Sequence, residues 1–295
     1  MIHREPAPAK VNLCLHVGPV QADGYHPLAS LVAFADIGDV VTAERDRALS
    51  LTVTGPFGAG LDGDGDNLVL RALRALGQAT GTGDPPLKVT LDKRLPIAAG
   101  LGGGSSDAGA ALRLARRVLD LDLDDAGLEA VAAVVGADGP MCLRARTAWA
   151  EGIGDRLEAV PGLAPLHAVL VNPGVACSTG AVYRAYDARP VGSADRPADP
   201  VDTSPDGLIR WLAAWRNDLE APALTVAPAI EPALAALAGC DGVGLVRMSG
   251  SGATVFGLFE HGDDAIAAAR SLSVGHGDWW ITPAILGDPV AQIAI

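Results

Sequence analysis

The segment from Pro96 to Ser106 reads Pro-Ile-Ala-Ala-Gly-Leu-Gly-Gly-Gly-Ser-Ser. Glycines ahead of a helix let the backbone close around an anion. The first-turn amides, which have no partner inside the helix, then point at that anion, and the helix dipole adds favourable charge. The chemistry on offer is phosphate binding. A helix start packed tightly on a sheet needs the same residues, and the loop alone does not choose between the two. Two common nucleotide loops are excluded. A Walker A loop needs Gly-Lys-Ser/Thr, whereas the only lysines are Lys10, Lys88 and Lys93, and none follows a glycine. A dinucleotide fingerprint needs G-x-G-x-x-G beside the first strand. Here Gly100-Leu-Gly102-Gly-Gly-Ser105 ends in serine and begins far into the chain.

The loop must be held by the elements on either side. Leu87-Lys-Val-Thr-Leu91 alternates as a strand does, and Ala108, Ala111, Leu112 and Ala115 give a helical pattern over 105–119. Ser105, Ser106 and Asp107 are candidate caps for that helix. Upstream, the first 55 residues read as strands, including Val11–Val17 and one or two strands within Leu28–Ala43, with a turn at Asp23-Gly24. Asp62-Gly-Asp-Gly-Asp66 is a loop whose glycine and distal acid do not match a calcium site. Asn67–Leu76 has helical spacing. Downstream we expect a helix over 124–135 broken by Gly136–Pro140, a hairpin at Trp149–Leu157, a linker at Val160–Pro165 and a strand at His167–Val171. A helix over 179–186, a Pro/Asp/Ser-rich surface loop over 188–206 and a largely helical stretch over 222–237 follow. Two strands flank a Ser-Gly-Ser-Gly turn, and a helix over 263–272 and a strand at 279–281 close the chain.

Composition narrows the classes. At 295 residues, 49% hydrophobic, the chain can bury a sizeable core, and its length suggests two domains. A formal net charge of −13 repels phosphate backbones, which argues against nucleic acid as a partner. Cys14, Cys142, Cys177 and Cys240 form no CxxC pair and read as separate reduced thiols rather than a zinc site. No signal-peptide run and no apolar stretch of membrane-spanning length is evident. The expectation is a cytoplasmic protein with small-molecule partners, as a monomer or homodimer.

Three separated segments carry a family resemblance. Pro96–Ser106 resembles the phosphate loop of the GHMP kinase superfamily. Pro8-Ala-Lys-Val-Asn-Leu13 resembles its first motif, and Met248-Ser-Gly-Ser-Gly-Ala-Thr-Val-Phe256 its third, all in the family order. Lys10-Val-Asn12 followed by Asp23-Gly-Tyr-His26 is similar to the branch acting on a cytidine-diphosphate-linked methylerythritol. Asp66-Asn67-Leu68, Asp92–Pro96, Gly136-Ala-Asp138, Glu151–Gly154 and Asn217–Glu220 agree with that branch. The resemblance spans nearly the whole chain. It implies an α/β (α+β) GHMP-kinase-like fold of two domains. Residues 1–158 would form an ATP-binding domain like ribosomal protein S5 domain 2. Residues 159–295 would form a ferredoxin-like domain covering the substrate. The implied reaction is ATP-dependent phosphorylation of the substrate's 2-hydroxyl in non-mevalonate isoprenoid synthesis, with Mg²⁺ on the nucleotide.

The same match assigns roles. Asp138 would accept the hydroxyl proton, and Lys10 would orient it or stabilise the transferring charge. Pro96, Ile97, Ala98, Ala99, Gly100, Leu101, Gly102, Gly103, Gly104, Ser105 and Ser106 would hold ATP, with Asn67 and Lys93 near the nucleotide. Asn12, Tyr25 and His26 would contact substrate; Tyr25, with Tyr183 opposite it, offers a ring for the base to stack on, and His26 a donor and an acceptor for the base edge. Gly250, Ser251 and Gly252 would support the phosphate loop. Metal ligands are not assigned. Two departures stand out. Gly139-Pro140-Met141 replaces the family's Val-Pro-Phe, which is expected to loosen packing beside Asp138. Asp107, at a position where the family varies between Asn and Asp, puts a negative charge near phosphates. A kinase of the superfamily acting on mevalonate or homoserine is a rival that Asp23–His26 disfavours. A non-catalytic nucleotide-binding protein is a second, disfavoured by the retention of Lys10 and Asp138.

Overall fold

The computed structural model describes residues 1–59, 61, 67–190 and 192–288. The Asp62–Asp66 loop therefore lies outside the described residues. The chain forms two compact units that alternate along the sequence. Unit 1 comprises Met1–Ala9, Gly38–Ile97 and Gly102–Ala145; unit 2 comprises Lys10–Ile37, Ala98–Leu101 and the chain from Arg146 onward. Two long strands, β1 (His3–Val17) and β2 (Leu28–Arg45), pair with each other and each runs through both units.

In unit 1 the second half of β2 pairs antiparallel with β4 (Leu87–Asp92), register Val41↔Leu91, and β4 pairs parallel with β3 (Ser50–Thr54). The helices are α1 (Leu68–Ala79), α2 (Gly103–Leu119), α3 (Asp125–Val135) and α4 (Gly139–Arg144). Alternation on the strands and 3.6-residue spacing on the helices deliver one core that includes Val41, Val89, Leu91, Leu73, Leu76, Leu112, Leu114 and Leu128. Asn67 and Asp124 cap α1 and α3 through their side chains. The α2 cap differs from expectation. Its N-cap is Gly102, in the left-handed region, with no side-chain bond, and the helix opens at Gly103. Ser105, Ser106 and Asp107 thus sit inside the helix, because a left-handed glycine turns the chain into it two residues earlier.

In unit 2 an antiparallel sheet runs β8 (Val243–Met248), β9 (Val255–Phe259), β7 (Leu166–Asn172), β10 (Trp280–Gly287), and the start of β2 joins through Leu286↔Ala35. The hairpin β5 (Ala148–Gly152) and β6 (Arg156–Ala159) adds to β2. Helices α5 (Thr179–Asp187), α6 (Pro205–Ala213), α7 (Glu220–Val226), α8 (Ile230–Ala238) and α9 (Gly262–Gly275) complete it. The stretch expected to be helical over 222–237 is two helices, divided before Pro228, which cannot donate to an ongoing helix. Part of the expected surface loop, from Pro205, is α6, capped by Ser204. All four cysteines are free thiols, and among the described residues no helix is long and apolar enough to cross a membrane.

Candidate active site

In the phosphate loop, every second residue has positive φ: Ala98 (51°), Gly100 (75°) and Gly102 (61°). A backbone that enters the left-handed region at every second residue can turn successive amides toward one side, as an anion-binding concavity requires. The carbonyls of unit 2's share of the loop are tied down. Ala99 O accepts from Thr254 N (3.0 Å), Gly100 O from Ser249 Oγ (3.0 Å) and Leu101 O from Lys10 N (2.8 Å). The first and third motifs thus meet the second through the backbone. The turn Ser249–Gly252 is itself fixed: Asn217 Nδ2 donates to Met248 O and Gly250 O (both 2.8 Å), and Thr179 Oγ1 and Ser251 Oγ are 2.8 Å apart. Asn217 is a supporting residue that single-residue reasoning missed; its signal was the Asn217–Glu220 segment.

Lys10 is 6% exposed and donates through Nζ to Asn12 Oδ1 (2.9 Å). Asn12 Nδ2 donates to Ser30 Oγ (2.8 Å), whose hydroxyl donates to Cys14 O (2.6 Å). Both ends of the Asn12 amide are therefore engaged, and its visible task is to orient Lys10. Tyr25 is 57% exposed and sits at the turn closed by Gln21 N donating to Tyr25 O (2.8 Å). The His26 ring lies 4.8 Å from that of Tyr183. Tyr25, His26 and Tyr183 all belong to unit 2.

Unit 1 holds Asp138, the N-cap of α4, with no side-chain capping bond. The bland role for an aspartate in a turn, capping the helix, is thus not the one it plays. The expected loosening beside it does not occur: a Cβ at Gly139 would stand 2.1 Å from Ala132 O, so only glycine lets α4 approach α3 this closely, and Met141 is buried. Arg113 braces the far end of α4, donating to Leu143 O (2.7 Å) and Cys142 O (3.2 Å) while Glu5 and Pro6 O hold its other nitrogens.

Lys93, expected near the nucleotide, is buried between two carboxylates, Asp39 and Asp107, the latter at 2.9 Å. Asp39 also accepts the amides of Arg94 (2.5 Å) and Leu95 (2.8 Å), fixing the chain just ahead of the loop. Burial alone would lower the Lys93 pKa, but the two carboxylates outweigh it and raise it. Burial pushes the Asp107 carboxyl up to about 8 against the opposing pull of Lys93, with Asp39 adding to the rise. Asp107 Oδ1 and Ser106 Oγ are both buried without a hydrogen-bond partner among the described residues. Asn67 spends its side-chain oxygen on Val69 N (2.9 Å).

A raised folded-state pKa means the native protein keeps the Asp107 proton after the unfolded chain has lost it. The associated stability is complete at low pH and is lost as pH rises from about 4 to about 8. Urea unfolding across that window is expected to show wild type falling progressively below Asp107→Asn, which has no proton to lose. Parallel curves for the two proteins would show that Asp107 is ionised throughout.

Comparison with known proteins follows this geometry. The family model described as "GHMP kinases N terminal domain" matches residues 67–145, and "GHMP kinases C terminal" matches 204–275. A protein of Caulobacter vibrioides (strain NA1000 / CB15N) called 4-diphosphocytidyl-2-C-methyl-D-erythritol kinase is 52% identical, over 93% of this chain and 96% of its own. A namesake in Dinoroseobacter shibae is 50% identical, over 95% and 93%. The crystal structure of a 4-(cytidine 5'-diphospho)-2C-methyl-D-erythritol kinase is similar with a TM-score of 0.77 and 36% identity, covering 97% of this chain and 99% of its own. Homoserine kinase from Cytophaga hutchinsonii, at 17% identity and a TM-score of 0.68 over 97% and 95%, shares the fold.

Proposed function

Because the chain belongs to the GHMP kinase family, among its 4-diphosphocytidyl-2-C-methyl-D-erythritol kinases, we propose that it transfers the γ-phosphoryl group of ATP to the 2-hydroxyl of 4-diphosphocytidyl-2-C-methyl-D-erythritol. The observation that carries this reading is the loop of alternating positive φ, with its carbonyls bound away and α2 beginning at its end. Backbone amides from Ala98 to Ser105 cradle the phosphates. Pro96 and Ile97 lead into the cradle. Ser106 gives its amide to Gly102 O (2.9 Å) and its hydroxyl to the interior, so it supports the loop from behind. Lys93 and Asn67 act in the same way, one by fixing the chain ahead of the loop and the other by starting α1.

In this reading Asp138 accepts the hydroxyl proton as the oxygen attacks, and Lys10, aimed by Asn12, stabilises charge on the transferring group. Tyr25, His26 and Tyr183 receive the cytosine. Residues 1–158 form the ATP-binding part, and 159–295 contribute Tyr183 and the Gly250-Ser251-Gly252 support. Among the described residues no group of three His, Cys, Asp or Glu could cage a metal. That fits Mg²⁺, which keeps several waters and travels on substrate phosphates; the half-buried Ser105 hydroxyl in the first turn of α2 would take one position. The ion supplies charge neutralisation at the phosphates. With ATP as co-substrate the protein works in the cytoplasm, as a monomer or homodimer.

The test is ADP release from the purified protein, with the cytidine-linked alcohol, mevalonate and homoserine supplied side by side. ADP with the first alone is the expected result. A folded, ATP-binding sample that releases none with it would sink the proposal.

A further inference from the structure

His26 is held by a residue that no motif contains. Its Nε2 lies 2.7 Å from Asp187 Oδ1, and the imidazole is 8% exposed. Its ring packs tilted against Tyr183 at 4.8 Å and edge-on against Tyr186 at 5.8 Å. Tyr186 is wholly buried and donates its hydroxyl to Val17 O, so the wall behind the imidazole is fixed to β1. Asp187 is the last residue of α5. A carboxylate there faces the negative end of the helix dipole, where helices favour cations. The helix gains nothing from Asp187, and the interaction that accounts for it is the one with His26.

A carboxylate accepts hydrogen bonds and donates none, so Nε2 of His26 carries the proton. In the neutral ring Nδ1 is then a lone-pair acceptor. An amino-pyrimidine can donate its exocyclic N–H to such an atom. A keto-pyrimidine presents oxygen at the same place, and two acceptors would face each other. We propose that Asp187 is a positioning residue for base selection: by fixing His26 as an acceptor it makes the site choose a cytosine over a uracil. The inference rests on the reading above, in which His26 meets the base, and adds the residue that sets its polarity.

The experiment compares kcat/KM for the cytidine-diphosphate-linked alcohol and its uridine-diphosphate counterpart, at a pH of about 8 where an ordinary histidine is neutral. Wild type, Asp187→Asn and Asp187→Ala are measured. Wild type is expected to favour cytidine by at least about 100-fold, as sites built around one hydrogen bond do. An asparagine can donate or accept, and an alanine does neither, so both release the ring. The preference is expected to fall at least tenfold in each, mostly through KM for the cytidine substrate, with KM for ATP unchanged. Both variants relieve an unfavourable charge at a helix end but leave Nε2 of a nearly buried imidazole without its partner, so thermal unfolding should fall modestly while both proteins still fold. An active wild type whose variants keep the preference within about twofold overturns the role of Asp187. A wild type inactive on the cytidine substrate overturns the functional reading instead, and this inference with it.

Discussion

Asp138→Asn lowers the rate of phosphoryl transfer by about a thousandfold, the middle of the range for removing a positioned general base, while the protein still folds and binds ATP. The asparagine has the same shape but cannot take a proton from the attacking hydroxyl. The fold is expected to tolerate the change because the side chain does not cap α4. What holds that helix is elsewhere: Gly139 against Ala132 O at its start, and Arg113 on Cys142 O and Leu143 O at its end. Those contacts position the carboxylate and survive its replacement. Lys10→Ala is expected to cost about a hundredfold, as for loss of one preorganised charge-stabilising donor, together with some stability, since Asn12 Oδ1 loses its buried donor. The double variant should be little slower than Asp138→Asn alone, because groups that act on one transition state do not add. The checks are single-turnover kinetics, thermal unfolding and titration with an ATP analogue. Asp138→Asn turnover within about threefold of wild type would remove it from the chemistry.

Much of this site was legible because its parts are local in sequence. Glycine runs, a turn with an aromatic beside it, and strand or helix periodicity are read within ten or fifteen residues. The roles that escaped are those defined across the chain. Lys93 has no local signal for burial; its carboxylates come from Asp39, an unremarkable acid within β2, and from Asp107, which looked like a cap. The hold of Asn12 on Lys10 was hidden as well, because Ser30, which takes the other end of its amide, lies on a different strand. At six residues, α4 is too short to show a period, and α6 begins inside a stretch whose Pro, Asp and Ser content resembles a loop. The interleaving of the two units was also hidden. It arises because β1 and β2 are long enough to serve both, and nothing in an alternating apolar pattern marks where a strand passes from one to the other.

The loop itself carries the other large expectation. Gly100→Ala should destabilise the protein by about 2–4 kcal/mol, the sum of a left-handed alanine and an overpacked contact, and should abolish measurable ATP binding. At φ 75° the new methyl would stand 2.4 Å from Ser249 O, 2.9 Å from Gly252 O and 3.0 Å from Gly252 N. All three are backbone atoms. The turn that presents them is pinned by Asn217 on two carbonyls, and the loop is pinned by Thr254, Ser249 and Lys10 on three. Neither side can yield without releasing the carbonyls that keep the amides turned toward the phosphates. Gly104→Ala is the contrast. There the methyl meets the Leu68 side chain, Cδ1 at 3.0 Å and Cγ at 3.9 Å, whose tip can rotate away, and alanine is the better helix former. Urea unfolding should therefore show Gly104→Ala at or slightly above wild-type stability and Gly100→Ala well below it. If the two variants unfold alike, the loop is a flexible glycine tract and not the rigid cradle that its alternating backbone describes.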